Sequence, residues 1–223
     1  MEGTDDVRSS AAEGAAGRIV LRRTAARSPS GTSGTGDEES CLQRRRDGAG
    51  TVCRMSRVGI GDSVILLRVL SADDAEAHLA GCDRAIVESI GGEPPTEAQV
   101  RHWLTRSESA WVGGEPLVDL GIEDCATGSL CGSVGIQRGL DYLDAGQVNL
   151  TYALYPDWRG RGYATRAVRL AMEVARRNAP VEQFVIRTAS WNGESMRVAQ
   201  RLGFKFSHTS DDEHGRLEWF IST

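Results

Sequence analysis

Residues 152–165 read Tyr-Ala-Leu-Tyr-Pro-Asp-Trp-Arg-Gly-Arg-Gly-Tyr-Ala-Thr, and they join a strand to a helix through a glycine-rich turn. The apolar strand pattern ends at Pro156. A helix is predicted from about Gly162 to Asn178, because small and apolar residues then recur at helical spacing. That stripe comprises Ala164, Ala167, Val168, Ala171, Val174 and Ala175.

The start of this helix is suited to binding an anion. The first backbone N–H groups of a helix have no acceptors within it, and the helix dipole adds partial positive charge there. Gly160 and Gly162 would let the backbone approach a ligand closely, and Arg159, Arg161 and Arg166 crowd the same end. The pattern favours a phosphate or pyrophosphate ligand. A plain glycine-rich turn in an arginine-biased sequence is the alternative.

Two familiar phosphate-binding motifs do not fit the stretch. A P-loop requires the pattern G-x-x-x-x-G-K-[ST], but Lys205 is the only lysine in the chain. A dinucleotide fingerprint requires a third glycine near the helix start and an early first strand, so Gly160 and Gly162 alone support it poorly.

The rest of the chain divides into a tail and one domain. Residues 1–60 contain no aromatic residue and are rich in Gly, Ser, Ala and Arg, so we expect them to be disordered. Residues 61–223 are net acidic and show regular apolar patterns, so we expect them to form the folded domain. Met55 stands just before these patterns. Either translation begins there, or the tail is a genuine flexible leader.

Composition excludes several classes of protein. The 223 residues are 40% hydrophobic and 26% charged with a net charge of −5, which is typical of a globular protein and not of a general nucleic-acid binder. No apolar run approaches the roughly 20 residues of a membrane-spanning helix. The five cysteines form neither a disulfide framework nor a zinc motif, so we expect reduced thiols, a cytoplasmic location and no metal.

Periodicity within the domain predicts a mixed α/β fold. Helices are expected after Ser71, after the Thr96–Gln99 capping box, from Gly162, and from Asn192 to just before Gly203. The predicted strands are Val64–Val69, Leu117–Glu123, Ser129–Gln137, Val148–Tyr155, Phe184–Thr188, Phe204–His208 and Leu217–Ile221.

Three segments resemble a known family. Arg159-x-x-Gly162-x-Ala164 is similar to the R/Q-x-x-G-x-G/A signature of the GNAT (GCN5-related) N-acetyltransferases. Residues 192–204 resemble the family's N-x-x-S…L-G-F segment, and residues 64–74 resemble its opening segment. The resemblance covers about residues 62–223. It is strongest to the branch that acetylates ribosomal-protein N-termini and antibiotics, and it implies a mostly antiparallel sheet of about six to seven strands flanked by about four helices.

The resemblance also implies acetyl-CoA as the cosubstrate and assigns residues to it. Leu154 would polarise the thioester carbonyl through its backbone N–H, and Ser195 would stabilise or protonate the departing thiolate. Asn192 would bond the pantetheine arm, although simple helix capping is the alternative for Asn192 and Ser195. The pantetheine arm would pair with Tyr152, Ala153 and Leu154, and the pyrophosphate would bind Arg159, Gly160, Arg161, Gly162, Tyr163, Ala164 and Thr165.

The sequence departs from the family at its acid and base positions. Asn149, Arg166 and Ala199 stand where relatives carry ionisable catalytic groups, so no base or acid can be transferred. An α-amine with a pKa of about 7.7–8.0 tolerates weak base catalysis better than a lysine at about 10.4, so we expect an α-amine or an antibiotic-type amine as acceptor. Other candidate bases are Asp119, Glu123, Glu218 and His208, and Asp83, Glu88 and Glu93 could attract a cationic acceptor.

The sequence thus predicts an N-acetyltransferase that acts on a primary amine by direct attack, either a protein N-terminus or a small molecule. It would work as a monomer or homodimer, without nucleic acid or membrane. A non-catalytic acyl-CoA-binding sensor is the first alternative, because the expected acids are missing. A different phosphate-ligand module is the second.

Overall fold

The computed structural model describes residues 59–89, 93–212 and 215–223. The predicted tail and the Met55 start lie outside these ranges, apart from Gly59 and Ile60. Those two residues belong to a strand rather than to the tail. The strands are β1 (Gly59–Gly61), β2 (Ile65–Val69), β3 (Leu117–Asp124), β4 (Leu130–Gln137), β5 (Gln147–Leu154), β6 (Gln183–Ala189), β7 (Lys205–Asp212) and β8 (Gly215–Ile221).

Five α-helices accompany the strands in the described ranges: α1 (Ala75–Gly81), α2 (Arg84–Ser89), α3 (Glu97–Gly113), α4 (Tyr163–Asn178) and α5 (Gly193–Arg201). Short 3₁₀ turns precede α1 at Ala72–Asp74 and α4 at Pro156–Trp158. None of these helices is long and apolar enough to cross a membrane.

The strands form one mixed sheet in the order β1-β2-β3-β4-β5-β6-β8-β7. Every neighbouring pair is antiparallel except β5 and β6, so the expected mixed, mostly antiparallel sheet is confirmed. The sheet has eight strands rather than six to seven, because the short strand β1 pairs with β2. Five helices replace the four expected, because the residues after Asp83 form the short helix α2.

The capping residues in the sequence predict these helix ends correctly. Thr96 is the N-cap of α3, where its Oγ1 accepts the Gln99 N–H at 3.3 Å while Gln99 Oε1 accepts the Thr96 N–H at 2.8 Å. Gly203 follows α5 with a φ of 82°, the left-handed conformation expected at that position. These confirmed caps each involve residues only a few positions apart, which is why the sequence reveals them.

Two apolar clusters cover opposite faces of the sheet. On one face, strand residues such as Val148, Leu150 and Phe184 pack against the stripe of α4 and against α5, and they are at most 1% exposed. On the other face, Leu70, Leu104 and their neighbours pack under α1–α3. Alternating side chains therefore bury both faces of the central strands.

A buried ionic network ties the start of α1 to the sheet. Arg68 on β2 makes two hydrogen bonds to Asp74, at 2.9 and 2.7 Å, and one to Glu123 on β3, at 2.6 Å. Their side chains are only 6%, 8% and 15% exposed. This network fixes the start of α1 against the sheet. It thereby positions the α1–α2 segment beside the end of β5.

The sheet opens between β5 and β6. The parallel pairing runs only from Gln147–Gln183 to Asn149–Val185, whereas β5 continues beside β4 as far as Leu154. Beyond Asn149, the two strands diverge. The opening lies next to the glycine-rich turn that leads into α4.

Candidate functional site

The glycine-rich turn before α4 has an open backbone. Gly160 and Gly162 have φ values of 75° and 80°, which side-chain-bearing residues rarely adopt. A Cβ added at either position would meet no atom within 4 Å, so the turn presents bare backbone to its surroundings. Gly162 is also the N-cap of α4 and supplies no side-chain acceptor to the helix.

The amides around this turn point to an anion site. Within the described ranges, the N–H groups of residues 160–162 donate no hydrogen bond. The first three N–H groups of α4, in residues 163–165, have no acceptor within the helix, because the first helical bond runs from Arg166 N–H to the Gly162 carbonyl. Consecutive free amides at the positive end of a helix suit a phosphate or pyrophosphate.

Two of the three arginines near the turn are already engaged. Arg159 makes a bidentate ion pair with Asp83, at 2.7 and 2.8 Å, and the guanidinium holds the pKa of that carboxyl below its ordinary value. Arg159 Nε also donates to the Leu154 carbonyl at 2.9 Å. Arg166 pairs with Asp62 at 2.7 Å. The sequence alone could not reveal these pairs, because each carboxylate lies more than 70 residues from its arginine.

Arg161 is the exposed cation of the turn. Its guanidinium lies 5.2 Å from the centre of the Trp158 ring, and no ion pair engages it in the part of the chain that the structure describes. Trp158 in turn packs against Tyr163, with ring centres 5.5 Å apart. Of the three arginines expected to serve an anion, Arg161 is therefore the one whose charge is still available.

The end of β5 directs backbone groups into the opening. The Tyr155 N–H donates to the Cys131 carbonyl at 2.8 Å, which makes these two residues a hydrogen-bonded pair of the antiparallel ladder. Because such pairs alternate, the neighbouring pair Leu154–Gly132 turns its N–H and C=O groups outward. The Leu154 N–H therefore points away from β4, toward the edge that β6 has left. Tyr152 has the same orientation.

Two hydroxyl groups meet at this opening from different elements. Tyr152 Oη on β5 lies 2.8 Å from Ser195 Oγ on α5 and donates to the Ser195 carbonyl at 3.2 Å. Burial raises the pKa of Tyr152 to about 12, and the bond to Ser195 opposes that shift only in part, so the phenol keeps its proton. Asn192 Oδ1 accepts the Ser195 N–H at 3.1 Å and is the N-cap of α5.

These contacts change how the two predicted α5 residues are understood. The geometry of Asn192 is that of the capping alternative. The buried hydroxyl of Ser195 is paired with the phenol of Tyr152, for which the resemblance implies only backbone pairing with the pantetheine arm. The residues of this pair are 43 positions apart, so periodicity and spacing could not have revealed it.

The opposite face of the sheet places one carboxyl near the opening. Asp119 on β3 accepts the Trp103 indole N–H at 3.0 Å, and burial raises the pKa of its carboxyl despite that bond. A Cβ added at Gly135 would lie 2.4 Å from Thr151 Oγ1 and 2.6 Å from Asp119 Oδ1. Gly135 on β4 thus keeps a space open between a polar group on β3 and one on β5.

The other candidate bases and acids have different surroundings. Glu123 belongs to the Arg68 network. His208 stacks on Trp219 with ring centres 4.8 Å apart. Among the acids expected to attract a cationic acceptor, Asp83 pairs with Arg159, while Glu88 pairs with Arg84 along α2 at 2.7 Å. Asp119 is therefore a half-buried candidate base that no ion pair engages in the described part of the chain.

The chain is similar to known acetyltransferases. A family model described as Acetyltransferase (GNAT) domain matches residues 65–205. A GNAT-family acetyltransferase from Bacillus anthracis is 15% identical with a TM-score of 0.61, and the match covers 75% of this chain and 97% of that one. A Vibrio cholerae protein, provisionally named a ribosomal-protein-serine acetyltransferase, is 19% identical with a TM-score of 0.62 and coverages of 74% and 96%.

A third solved structure, AAC(6')-Ib in complex with paromomycin and acetyl-CoA, is 21% identical with a TM-score of 0.60 and coverages of 71% and 93%. At these identities the three likenesses show a shared fold. No curated protein matches the sequence significantly.

Proposed function

Because this chain belongs to the GNAT acetyltransferase family, we propose that it transfers the acetyl group of acetyl-CoA to a primary amine, the α-amine of a protein N-terminus or the amine of a small molecule. One observation carries the proposal: β5 diverges from β6 beside an open glycine turn whose amides are free. A phosphate-bearing thioester needs both features, a cradle for its pyrophosphate and a strand edge for its extended arm.

The residues present fit acetyl-CoA. The amides of residues 160–165 and the Arg161 side chain would hold the pyrophosphate, and the outward edge of Tyr152–Leu154 would pair with the pantetheine arm. Acetyl-CoA supplies an acetyl group already activated as a thioester. Arg159 acts indirectly, because its bonds to Asp83 and the Leu154 carbonyl hold the turn and the strand end together.

The reaction needs an oriented carbonyl, a neutral amine and a protonated leaving group. The Leu154 N–H stabilises negative charge that develops on the carbonyl oxygen. Tyr152 and Ser195 stabilise the departing sulfur, and they hold a proton that the thiolate can take. An α-amine is neutral in a substantial fraction of molecules near pH 7.5, so Asp119 needs only to receive a proton through solvent.

Calorimetric titration of the full chain with acetyl-CoA, 3′-dephospho-CoA and ATP tests the ligand. We expect micromolar binding of acetyl-CoA and little binding of ATP. Gly162→Ala is the informative variant and Gly203→Ala its matched control, since the two glycines have φ values of 80° and 82° and equal free space. Both substitutions should destabilise the fold by about 1–2 kcal/mol. Only Gly162→Ala should weaken acetyl-CoA binding, and equal binding by both variants would refute the assignment of the turn.

Amine-dependent release of CoA then separates an enzyme from an acyl-CoA sensor. A thiol reagent measures the rate of CoA release in the presence of each primary amine in a panel. For an enzyme, this rate should exceed the rate of acetyl-CoA hydrolysis without an amine. Tight acetyl-CoA binding without turnover on any amine would support the sensor instead.

A further inference from the structure

The outward edge of β5 ends on a carbonyl that is already occupied. Leu154 directs both its N–H and its C=O away from β4, because the next residue, Tyr155, is the one that bonds to Cys131 across the ladder. Arg159 Nε donates to this Leu154 carbonyl at 2.9 Å. An extended ligand that pairs with the edge can therefore use the N–H and C=O of Tyr152 and the N–H of Leu154, but not the Leu154 C=O.

The same bond fixes the direction of the strand end. The peptide group between Leu154 and Tyr155 is held on both sides, because its C=O accepts from Arg159 and its N–H donates to the Cys131 carbonyl at 2.8 Å. A planar peptide that is bonded at both ends cannot turn about its flanking single bonds without breaking one of these hydrogen bonds. Leu154 thus stays extended, and its N–H keeps pointing into the opening.

Asp83 holds Arg159 in this position. Its carboxylate oxygens accept from Nη1 and Nη2 at 2.7 and 2.8 Å, and Oδ1 also accepts the Ile86 N–H at 3.1 Å in the first turn of α2. Because a guanidinium is planar, a bidentate carboxylate at its far end also fixes the direction of the Nε–H bond. The start of α2 is therefore connected, through Asp83 and Arg159, to the last carbonyl of β5.

We propose that Arg159, held by Asp83, sets the register in which the arm of the thioester binds. Without Arg159, the arm could shift by one step and bond its last amide N–H to the Leu154 carbonyl. With that carbonyl occupied, the last free group of the edge is the Leu154 N–H, and the ligand must place an acceptor there. The thioester carbonyl, which lies beyond the last amide of the arm, is that acceptor.

Both side chains are positioning residues, because they act through the backbone of Leu154 and touch no reacting atom. The inference rests on the proposed function and adds how the same site places its reacting carbonyl.

Infrared spectroscopy of bound acetyl-CoA tests this placement without an amine. A heavy carbon isotope at the acetyl carbonyl distinguishes its stretching band from those of the protein. A hydrogen bond from the Leu154 N–H lowers the stretching frequency, so binding to the wild-type chain should shift the band down. In Arg159→Met the shift should be lost or the band should split, because the arm can then bind in two registers. Acetyl-CoA affinity, measured by calorimetry, should change at most about fivefold, because a half-exposed ion pair contributes little.

Matched variants separate the two contacts of Arg159. Arg159→Gln keeps an N–H donor at the stem position of Nε and removes the groups that bond Asp83, so part of the band shift should remain. Asp83→Asn removes the charge but keeps an oxygen for the Ile86 N–H, so it should weaken the shift without unfolding α2. Asp62→Asn is the control, because Asp62 pairs with Arg166 at the same 2.7 Å and with the same 31% side-chain exposure as Asp83.

Turnover should follow the infrared band. With any amine that releases CoA, Arg159→Met should lower kcat about 10- to 100-fold while the KM for acetyl-CoA changes little. Asp83→Asn should lower kcat less, and Asp62→Asn should leave it unchanged. The double variant with Arg159→Met and Asp83→Asn should lose no more than Arg159→Met alone, because Asp83 acts through Arg159.

Each outcome bears on a stated conclusion. A wild-type band that binding does not shift, or a band shift and kcat that Arg159→Met leaves unchanged, would overturn this inference while acetyl-CoA binding stands. A loss of affinity of about 100-fold in both Arg159→Met and Arg159→Gln would also overturn it, because the arginine would then bind the pyrophosphate itself. Equal effects of Asp83→Asn and Asp62→Asn would overturn the role of Asp83, and this pair of variants decides if Arg159→Met does not fold. Absence of acetyl-CoA binding by the folded wild-type chain would overturn both proposals.

Discussion

Arg68→Met should cost more stability than any exposed arginine substitution in this domain. The substitution leaves Asp74 and Glu123 without the guanidinium that bridges them, in surroundings where their side chains are only 8% and 15% exposed. Breaking a buried ion pair by removing one partner costs about 3–5 kcal/mol, because a shielded charge loses its compensation. For a domain of this size we expect the Tm to fall by roughly 6–20 °C.

Urea unfolding followed by tryptophan fluorescence measures the effect. Arg84→Met is the matched control, because Arg84 also pairs with a carboxylate but its side chain is 91% exposed, and it should leave stability unchanged within error. The triple variant with Asp74→Asn and Glu123→Gln should recover part of the loss, because it also removes the two carboxylate charges that Arg68 bridges. A loss below about 1 kcal/mol, or a triple variant no more stable than Arg68→Met, would refute the reasoning.

Three further predictions follow from the site. Gly135→Ala should lower the free energy of unfolding, measured in urea, by about 1–3 kcal/mol, because the new Cβ would lie 2.4 Å from Thr151 Oγ1. Adding Thr151→Ala should recover part of the lost stability. Ser195→Ala and Tyr152→Phe should each lower kcat about 10²-fold while acetyl-CoA affinity is kept, and the double variant should lose no more than the worse single one in CoA-release assays. Asp119→Asn should stabilise the protein more at pH 7 than near pH 4, because burial raises the folded-state pKa above 3.8, so stability falls as the carboxyl ionises with rising pH.

Each of these predictions has an outcome that contradicts it. An undiminished free energy of unfolding in Gly135→Ala would mean that the neighbouring strands adjust without strain. Losses that multiply in the double variant would mean that the two hydroxyls act separately. A stabilisation by Asp119→Asn that is the same at both pH values would mean that the carboxyl is not desolvated.

Local sequence was enough to identify most of the elements and the glycine-rich turn. Helix α4, the end of β5 and the Thr96 cap all depend on interactions between residues a few positions apart, so period, capping residues and glycines reveal them. The two glycines indicated the turn, because a left-handed backbone conformation there favours residues without a Cβ. Short strand β1 and helix α2 were missed, because a few residues carry too little periodicity to be distinguished from a loop.

The chemistry of the site depended instead on contacts between distant residues. The contacts of Arg159 with Asp83 and of Tyr152 with Ser195 join segments that have no sequence pattern in common. Strand order and register bring them together, and these follow from how the whole core packs. The sequence thus predicts most of the elements and the turn that we propose as the anion site. The fold establishes which charges remain free to act, because long-range pairing neutralises some of them and leaves others unsatisfied.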